Sequence, residues 1–577
     1  MGRLLFIPLL ACFFSTLLLG QVRSATLMKV STTPIFPTIP RDRSNDDFQV
    51  LLRVEAPPAA DGHIPIDVVA VLDVSGSMNF PAAPAKKNQA SRLDVLKTAM
   101  KFVIRKLHSE DRLSIVAFND KPVKEYSTDG FLEISGQGRS TAGNKVDKLQ
   151  AGGGTDILSG LVEANKILDA RANKSRIGFI VLLTDGNSST PIHGAVSNYP
   201  VHTFGLCTEH EPEPLFKIAK QSGGTYSFVD DDNLDKITSA LALCAGGLNS
   251  VVAVGTHLVL KASNGVKIVK IISGGYANSF QETTGKITIG ALYAGEVKNF
   301  IVHLRVPVDA ESAAGAGNGL CCNQRELLVA SLESQSIEVA SDVLIVERPA
   351  AATAVLPKLP SSIVVNHIFR FKVVKMVETF IEKEILSFTS PVGDLRAKLL
   401  VKWEELVQVH QFWVGLELEG VHGEIHAVAN TLQTTTQGLT GGAVRPSSVA
   451  AYIFSWLSSY QMQRPTAMGS AGKVVDTFVT LQMHLTLQAS VTFLSGDTGS
   501  SPSPAADIKC EYSCVEKMPP AKHLFVASGH GDNSFHFNPD FQGIVSLDDI
   551  NEFMSKIYQG MVIANNLKQC NSSRAVA

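Results

Sequence analysis

Cysteine is scarce in this 577-residue chain: eight residues is far below the density of a disulfide scaffold, so burial of apolar surface must carry most of the stability. An excess of charge of one sign is also lacking. With 51 Lys and Arg against 54 Asp and Glu, the net charge of −3 provides no basic field for a phosphate backbone, and the reading is no nucleic acid partner. Beyond the first 25 residues no apolar run is long enough to span a bilayer, and no internal repeat is visible. What is present is ordinary globular composition, 45% hydrophobic and 18% charged, with length for roughly two to four domains.

The amino terminus is the exception. Arg3 supplies a positive charge, and Leu4 to Gly20 is uncharged, which together read as a secretory signal peptide over residues 1–24, cleaved after Ser24. A retained membrane anchor is the alternative, because the run is at the short edge of a span. The localisation expected is the secretory pathway, extracellular or membrane-anchored, with a cytoplasmic chain as the alternative. Cleavage removes Cys12 and leaves an odd number of cysteines, so one thiol is unpaired or intermolecular.

From Ile66 the chain reads Ile-Asp-Val-Val-Ala-Val-Leu-Asp, an apolar run ending in turn residues, as in a strand buried on both faces of a parallel sheet. Ser91 to His108 has apolar residues at helical spacing behind a capping serine, and strands and helices then alternate to about Leu243. That pattern predicts a doubly wound α/β domain over 62–247, with its binding crevice at the carboxyl ends of the strands. Past Gly246-Gly247 the text changes to period-two strands with Gly-rich turns, an antiparallel β sandwich over 249–348. Phe48 to Glu55 alternates likewise, so residues 26–60 are expected to lend one or more strands to that sandwich, with the α/β domain inserted in it. Residues 349–361 are a Pro- and Ala-rich linker, 362–494 a mainly helical region and 495–577 a loop-rich tail.

The first strand ends in Asp73-Val74-Ser75-Gly76-Ser77-Met78. A loop there must lie at the carboxyl edge of the sheet, and Gly76 gives the backbone freedom to turn both hydroxyls toward the Asp73 carboxylate. Thr155 follows three glycines just before a helix, and Asp185 ends the Ile177 to Leu183 strand, so one small site can collect all five side chains. Asp156 is assigned to the helix cap and Thr155 to the site. Oxygen-only donors with few carboxylates suit a hard divalent cation, Mg²⁺ or Mn²⁺, left electrophilic enough to take a carboxylate from outside.

At these residues the chain resembles the von Willebrand factor A family, whose metal-ion-dependent adhesion site (MIDAS) is Asp-x-Ser-x-Ser with a distant Thr and Asp. All the pattern positions are filled: Asp73, Ser75, Ser77, Thr155 and Asp185. The phrases from Leu149 to Asp156 and from Ile218 to Tyr226 look like plant von Willebrand A proteins, including the wavy-growth type RING ubiquitin ligases. Their RING precedes the A domain, whereas residues 26–65 here contain no cysteine, so ligase activity is not carried over. The resemblance implies a Rossmann-like von Willebrand A domain inserted in or followed by an antiparallel β sandwich, then a mainly helical C-terminal region. It also implies a non-enzymatic adhesion-type module that binds a partner's Asp or Glu through a bound divalent cation. The alternative is an intracellular, RING-less accessory or substrate adaptor of a ubiquitin ligase, associating with the RING-bearing relatives.

Other signals are weaker. His422 and His426 stand four apart, but Glu424 is misplaced for a His-Glu-x-x-His zinc protease, and surface histidines are expected. Asn538 to Asp549 is a degenerate echo of a calcium loop, with Pro539 against it. Cys510 and Cys514 pair if the chain is secreted, and Cys207 and Cys244 read as buried free thiols. In a secreted chain, sugar is expected at Asn173 or Asn571 and little at Asn187, which would crowd Asp185.

Overall fold

The computed structural model describes residues 28–495, apart from 59–62, 83–89, 175, 187, 189–196, 310–323, 336–339, 350–359, 387–394, 411–416, 438–445 and 470–475. The leader, the calcium-loop echo, Cys510, Cys514, Asn187 and Asn571 lie outside the described residues. Strands β1 (Lys29–Pro34) and β2 (Asn45–Glu55) pair antiparallel before the chain departs into the α/β domain. That domain holds β3 (Ile66–Asp73), α1 (Arg92–Lys106), β4 (Arg112–Phe118), β5 (Leu132–Glu133), α2 (Gln137–Asp147) and α3 (Ile157–Ala170). It continues through β6 (Ile177–Thr184), β7 (Val201–Leu206), α4 (Pro212–Ser222), β8 (Tyr226–Val229) and α5 (Ile237–Leu248). β3 is central and buried throughout, with β6 and β4 parallel on either side. Because side chains alternate along a strand, Val69 and Val71 pack with Leu161 and Ala164 of α3, while Val68, Ala70 and Leu72 pack with α1 and α5. Ser91 caps α1 in a reciprocal box with Asp94.

The chain then returns to the sandwich through β9 (Val251–Ala262), β10 (Lys267–Ile272), β11 (Ala277–Phe280), β12 (Thr284–Tyr293), β13 (Val297–Val306), β14 (Gln324–Glu333) and β15 (Ser341–Glu347). One sheet runs β1-β2-β13-β10 and the other β11-β12-β9-β14-β15. β2 pairs with β13 from Glu55↔Val297 to Asn45↔Val306, while β9, the first strand after the α/β domain, lies in the other sheet, so the domain is inserted between β2 and β9 of the sandwich rather than preceding it. The alternation of β2 suggests one wet face, yet Leu51 is as buried as Leu52, because α6 (Ser362–Phe380) lies across β2 and β13.

Helices α7 (Leu395–His410), α8 (Glu417–Gln437) and α9 (Pro446–Met462) follow, then β16 (Met468–Gly469) and α10 (Leu481–Ser495). These pack on both earlier units. Phe454 of α9 stacks on Phe216 of α4 at 4.6 Å, and β16 joins the sheet as a parallel strand beside β8. No helix among the described residues is long and apolar enough to cross a membrane.

The segment between α9 and β16 is the joint of the molecule. Arg464, 4% exposed, donates through Nε to Glu296 Oε1 at 2.8 Å and through Nη2 to Glu296 Oε2 at 3.1 Å and Ala291 O at 2.7 Å. Lys298 is fully buried, its Nζ donating to Glu296 Oε1 at 3.0 Å and to the Met462 and Gln463 carbonyls at 3.1 and 2.9 Å. The two cations hold the Glu296 carboxyl well below its ordinary value despite burial. Arg464→Ala would leave that carboxylate buried with a diminished counter-charge, at a cost of about 3–5 kcal/mol. Thermal unfolding of the full chain should show a lowered midpoint. Arg464→Lys should recover only part of it, since one ammonium cannot span both carboxylate oxygens and the Ala291 carbonyl.

Candidate metal centre

Asp73 closes the central strand with its carboxylate fully buried. Oδ1 accepts the Ser75 N–H at 2.7 Å and Oδ2 the Thr184 hydroxyl at 2.6 Å, so the group is fixed from its own loop and from the end of β6. The loop is pinned by Gly76 N–H to Gly153 O at 3.0 Å and Gly152 N–H to Val74 O at 2.8 Å, which brings the glycine triplet against it. Ser75 and Ser77 present their Oγ atoms 3.1 Å apart, and Ser77 donates to Asp185 Oδ1 at 2.7 Å.

Thr155 arrives from the other side. Asp156 caps α3 by accepting the Ser159 N–H, and its own N–H donates to Asn119 O, which fixes the chain just after Thr155. Glycine at 186 keeps the approach open: a Cβ there would lie 3.3 Å from Thr155 Oγ1 and 3.9 Å from Ser77 Oγ. Gly154 has a similar reason, since a Cβ would meet Asp120 Oδ1 at 2.3 Å. The five residues singled out from the sequence thus converge at the carboxyl edge of β3 and β6.

Two participants carry no recognisable sequence signal. Thr184 reads as the last residue of a strand, and Arg92 as an ordinary first-turn residue of α1. Arg92 is 4% exposed; its Nη1 donates to Asp185 Oδ2 at 2.8 Å, while Nη2 faces Glu209 at 3.5 Å and Asp231 at 3.9 Å. Asp185 is therefore charge-paired, but Asp73 is not. Burial, and then the neighbouring Asp185 charge, push the Asp73 carboxyl up to about 6 against the pull of the Ser75 and Thr184 hydrogen bonds. A dry carboxylate in a ring of hydroxyls, destabilised by its own charge, is the donor chemistry that a hard cation fits.

The family described as von Willebrand factor type A domain matches residues 66–228. The domain has the von Willebrand factor type A fold. A von Willebrand factor type A protein from Catenulispora acidiphila superposes with a TM-score of 0.53 at 17% identity, covering 76% of this chain and 97% of that one. The E3 ubiquitin-protein ligase WAV3 of Arabidopsis thaliana is 31% identical over 283 residues, 46% of this chain and 36% of the ligase. The E3 ubiquitin-protein ligase WAVH1 of the same plant is 27% identical over 296 residues, 48% of this chain and 38% of that one. The chain thus spans less than two-fifths of either curated plant relative.

In the helical region the rings of His422 and His426 lie 4.1 Å apart. His422 Nδ1 accepts the Trp403 indole N–H at 3.0 Å, and Glu424 accepts from Trp456 at 2.9 Å and Tyr460 at 2.7 Å. Cys207 is a buried free thiol and Cys244 a partly buried one.

The raised Asp73 carboxyl has a stability consequence in the metal-free A domain. The folded state holds this proton more tightly than the unfolded chain, so stability is lost as pH rises from 3.8 to about 6 and is not regained above. Asp73→Asn should therefore stabilise the protein in chelator at pH 7.5, by up to about 3 kcal/mol, and have little effect at pH 4. Thermal unfolding at both pH values checks this.

Proposed function

We propose that the A domain, a protein-interaction module by its fold, recognises an acidic side chain of a partner protein through a divalent cation held by Asp73, Ser75, Ser77, Thr155 and Asp185. The observation that carries the reading is the convergence of three hydroxyls and two carboxylates from three separate loops on one spot, with one carboxylate left uncompensated. Mg²⁺ or Mn²⁺ bound there supplies a Lewis-acidic position for the incoming carboxylate. Arg92 draws on the negative charge of Asp185, and the hydroxyls of Ser75, Ser77 and Thr155 add none, so the protein itself does not neutralise the cation. This chemistry is recognition without turnover. The leader supports a secretory route, which would present the site outside the cell or at a membrane.

A second reading rests on the plant relatives. Their alignments run to 283 and 296 residues, longer than the A domain, which favours a likeness that includes part of the sandwich. In that reading the protein is an intracellular accessory of RING-bearing ligases, pairing with them or with their substrates.

Two measurements separate these readings. Partner capture from a native extract should require Mg²⁺ or Mn²⁺, be lost in chelator and in Ser75→Ala, and weaken only modestly in raised salt, since a metal-bound carboxylate is screened less than an exposed ion pair. Recovery of the same partners in chelator by both forms would move recognition to the sandwich or the helices. Residues 1–30 fused to a reporter should direct it into the secretory pathway, and retention in the cytosol would favour the accessory reading.

A further inference from the structure

At the opposite edge of the parallel sheet from Asp73, the residues just before β3 and β4 come together. Asp111 is fully buried, its Oδ1 accepting the Ile66 N–H at 3.0 Å and its Oδ2 the His108 N–H at 2.8 Å, so the carboxylate is held by backbone from both sides. His63 Nε2 lies 2.6 Å from Asp111 Oδ1, and His108 Nδ1 lies 3.8 Å from Oδ2. The two imidazoles lie with centroids 3.9 Å apart and planes tilted by 54°, and the potential ligand atoms of the three residues lie within 4.8 Å of one another.

We propose that His63, His108 and Asp111 form a second metal site, selective for Zn²⁺ and independent of the Asp73 centre. Two imidazole nitrogens and one carboxylate oxygen suit a borderline cation, whereas the Asp73 set is oxygen alone. Bonds of about 2.0–2.1 Å in a tetrahedral shell put ligand atoms about 3.3 Å apart, inside the spread observed. The His63–Asp111 contact alone could be a plain hydrogen bond. That bond does not use the second imidazole, whose ring nitrogen is beyond hydrogen-bond distance of the carboxylate yet within reach of a shared ion. The His108 side chain is 49% exposed, so rotation of one ring can close the shell and the fourth position faces solvent. A bound ion would tie the segment leading out of β2 to the turn between α1 and β4, at the point where the A domain departs from the sandwich.

The test is calorimetric titration of the full chain with Zn²⁺, in an Asp73→Ala background with Mg²⁺ present. One Zn²⁺ per chain is expected, with affinity weakened by at least about tenfold in His63→Ala and in His108→Ala and unchanged in His303→Ala, a histidine of the sandwich paired with Asp47. Asp111 is left intact because its backbone bonds hold the turn. Co²⁺ added to the chain bearing all three residues should give the intense visible absorption of a tetrahedral nitrogen and oxygen shell, a readout that needs no histidine variant. Absence of that absorption, or equal Zn²⁺ affinity in the His63 and His108 variants, would overturn the proposal.

Discussion

The bidentate pair between Arg464 and Glu296 is the contact on which the architecture turns. Glu296 sits in the turn before β13 of the sandwich, Arg464 follows the last turn of α9, and the next few residues become a strand of the A-domain sheet. A charge pair this dry gains little over an apolar contact in stability, but it tolerates few geometries. Lys298 adds a second cation, and the Gln463 side chain donates to Asn299 O at 2.8 Å and accepts its N–H at 2.9 Å, mimicking a neighbouring strand. The joint therefore sets the register of the helical region against the sandwich. Through Met468 and Gly469 it also sets that region against β8. Tyr226 N–H, at the start of β8, donates to Ser458 Oγ of α9 at 2.8 Å and closes the circuit.

That joint bears on the candidate metal centre by holding its frame. The A domain hangs from the sandwich at both ends, because β2 runs into it and β9 runs out of it while both lie in the sandwich core. Its sheet is further braced at one edge by β16. The loops carrying Asp73, Thr155 and Asp185 project from the carboxyl edge of this braced sheet. Their order comes from backbone bonds between loops, such as Gly76 to Gly153 and Asp156 to Asn119, and from glycines that let the segments approach closely. Arg92 couples the first helix to the same spot, so a change in charge at Asp185 would be felt directly by α1.

Much of this was readable in the chain, and the omissions have physical causes. A parallel strand covered on both faces must be a continuous apolar run, so β3 and β6 stand out, and the residues ending them fall at the sheet edge where Asp73 and Asp185 meet. The insertion of the A domain was visible because Phe48 to Glu55 alternates as the later strands do. By contrast α2 buries little beyond Ala142 and Val146, too sparse a pattern to show a helical period. β11 is exposed at every position and offers no alternation, and β16 is two residues long, held by its neighbours rather than by propensity. The Arg92–Asp185 and Arg464–Glu296 pairs join residues far apart in the chain, where each residue looks like ordinary surface charge until the fold brings its partner close.

The central claim is that the Asp73 loop binds a divalent cation, and calorimetric titration of the full chain with Mg²⁺ or Mn²⁺ tests it most directly. The account predicts binding at one site in the natural sequence and none there in Asp73→Ala, with the folded content of the two proteins alike. Equal affinity in both, or no binding by either, would contradict it.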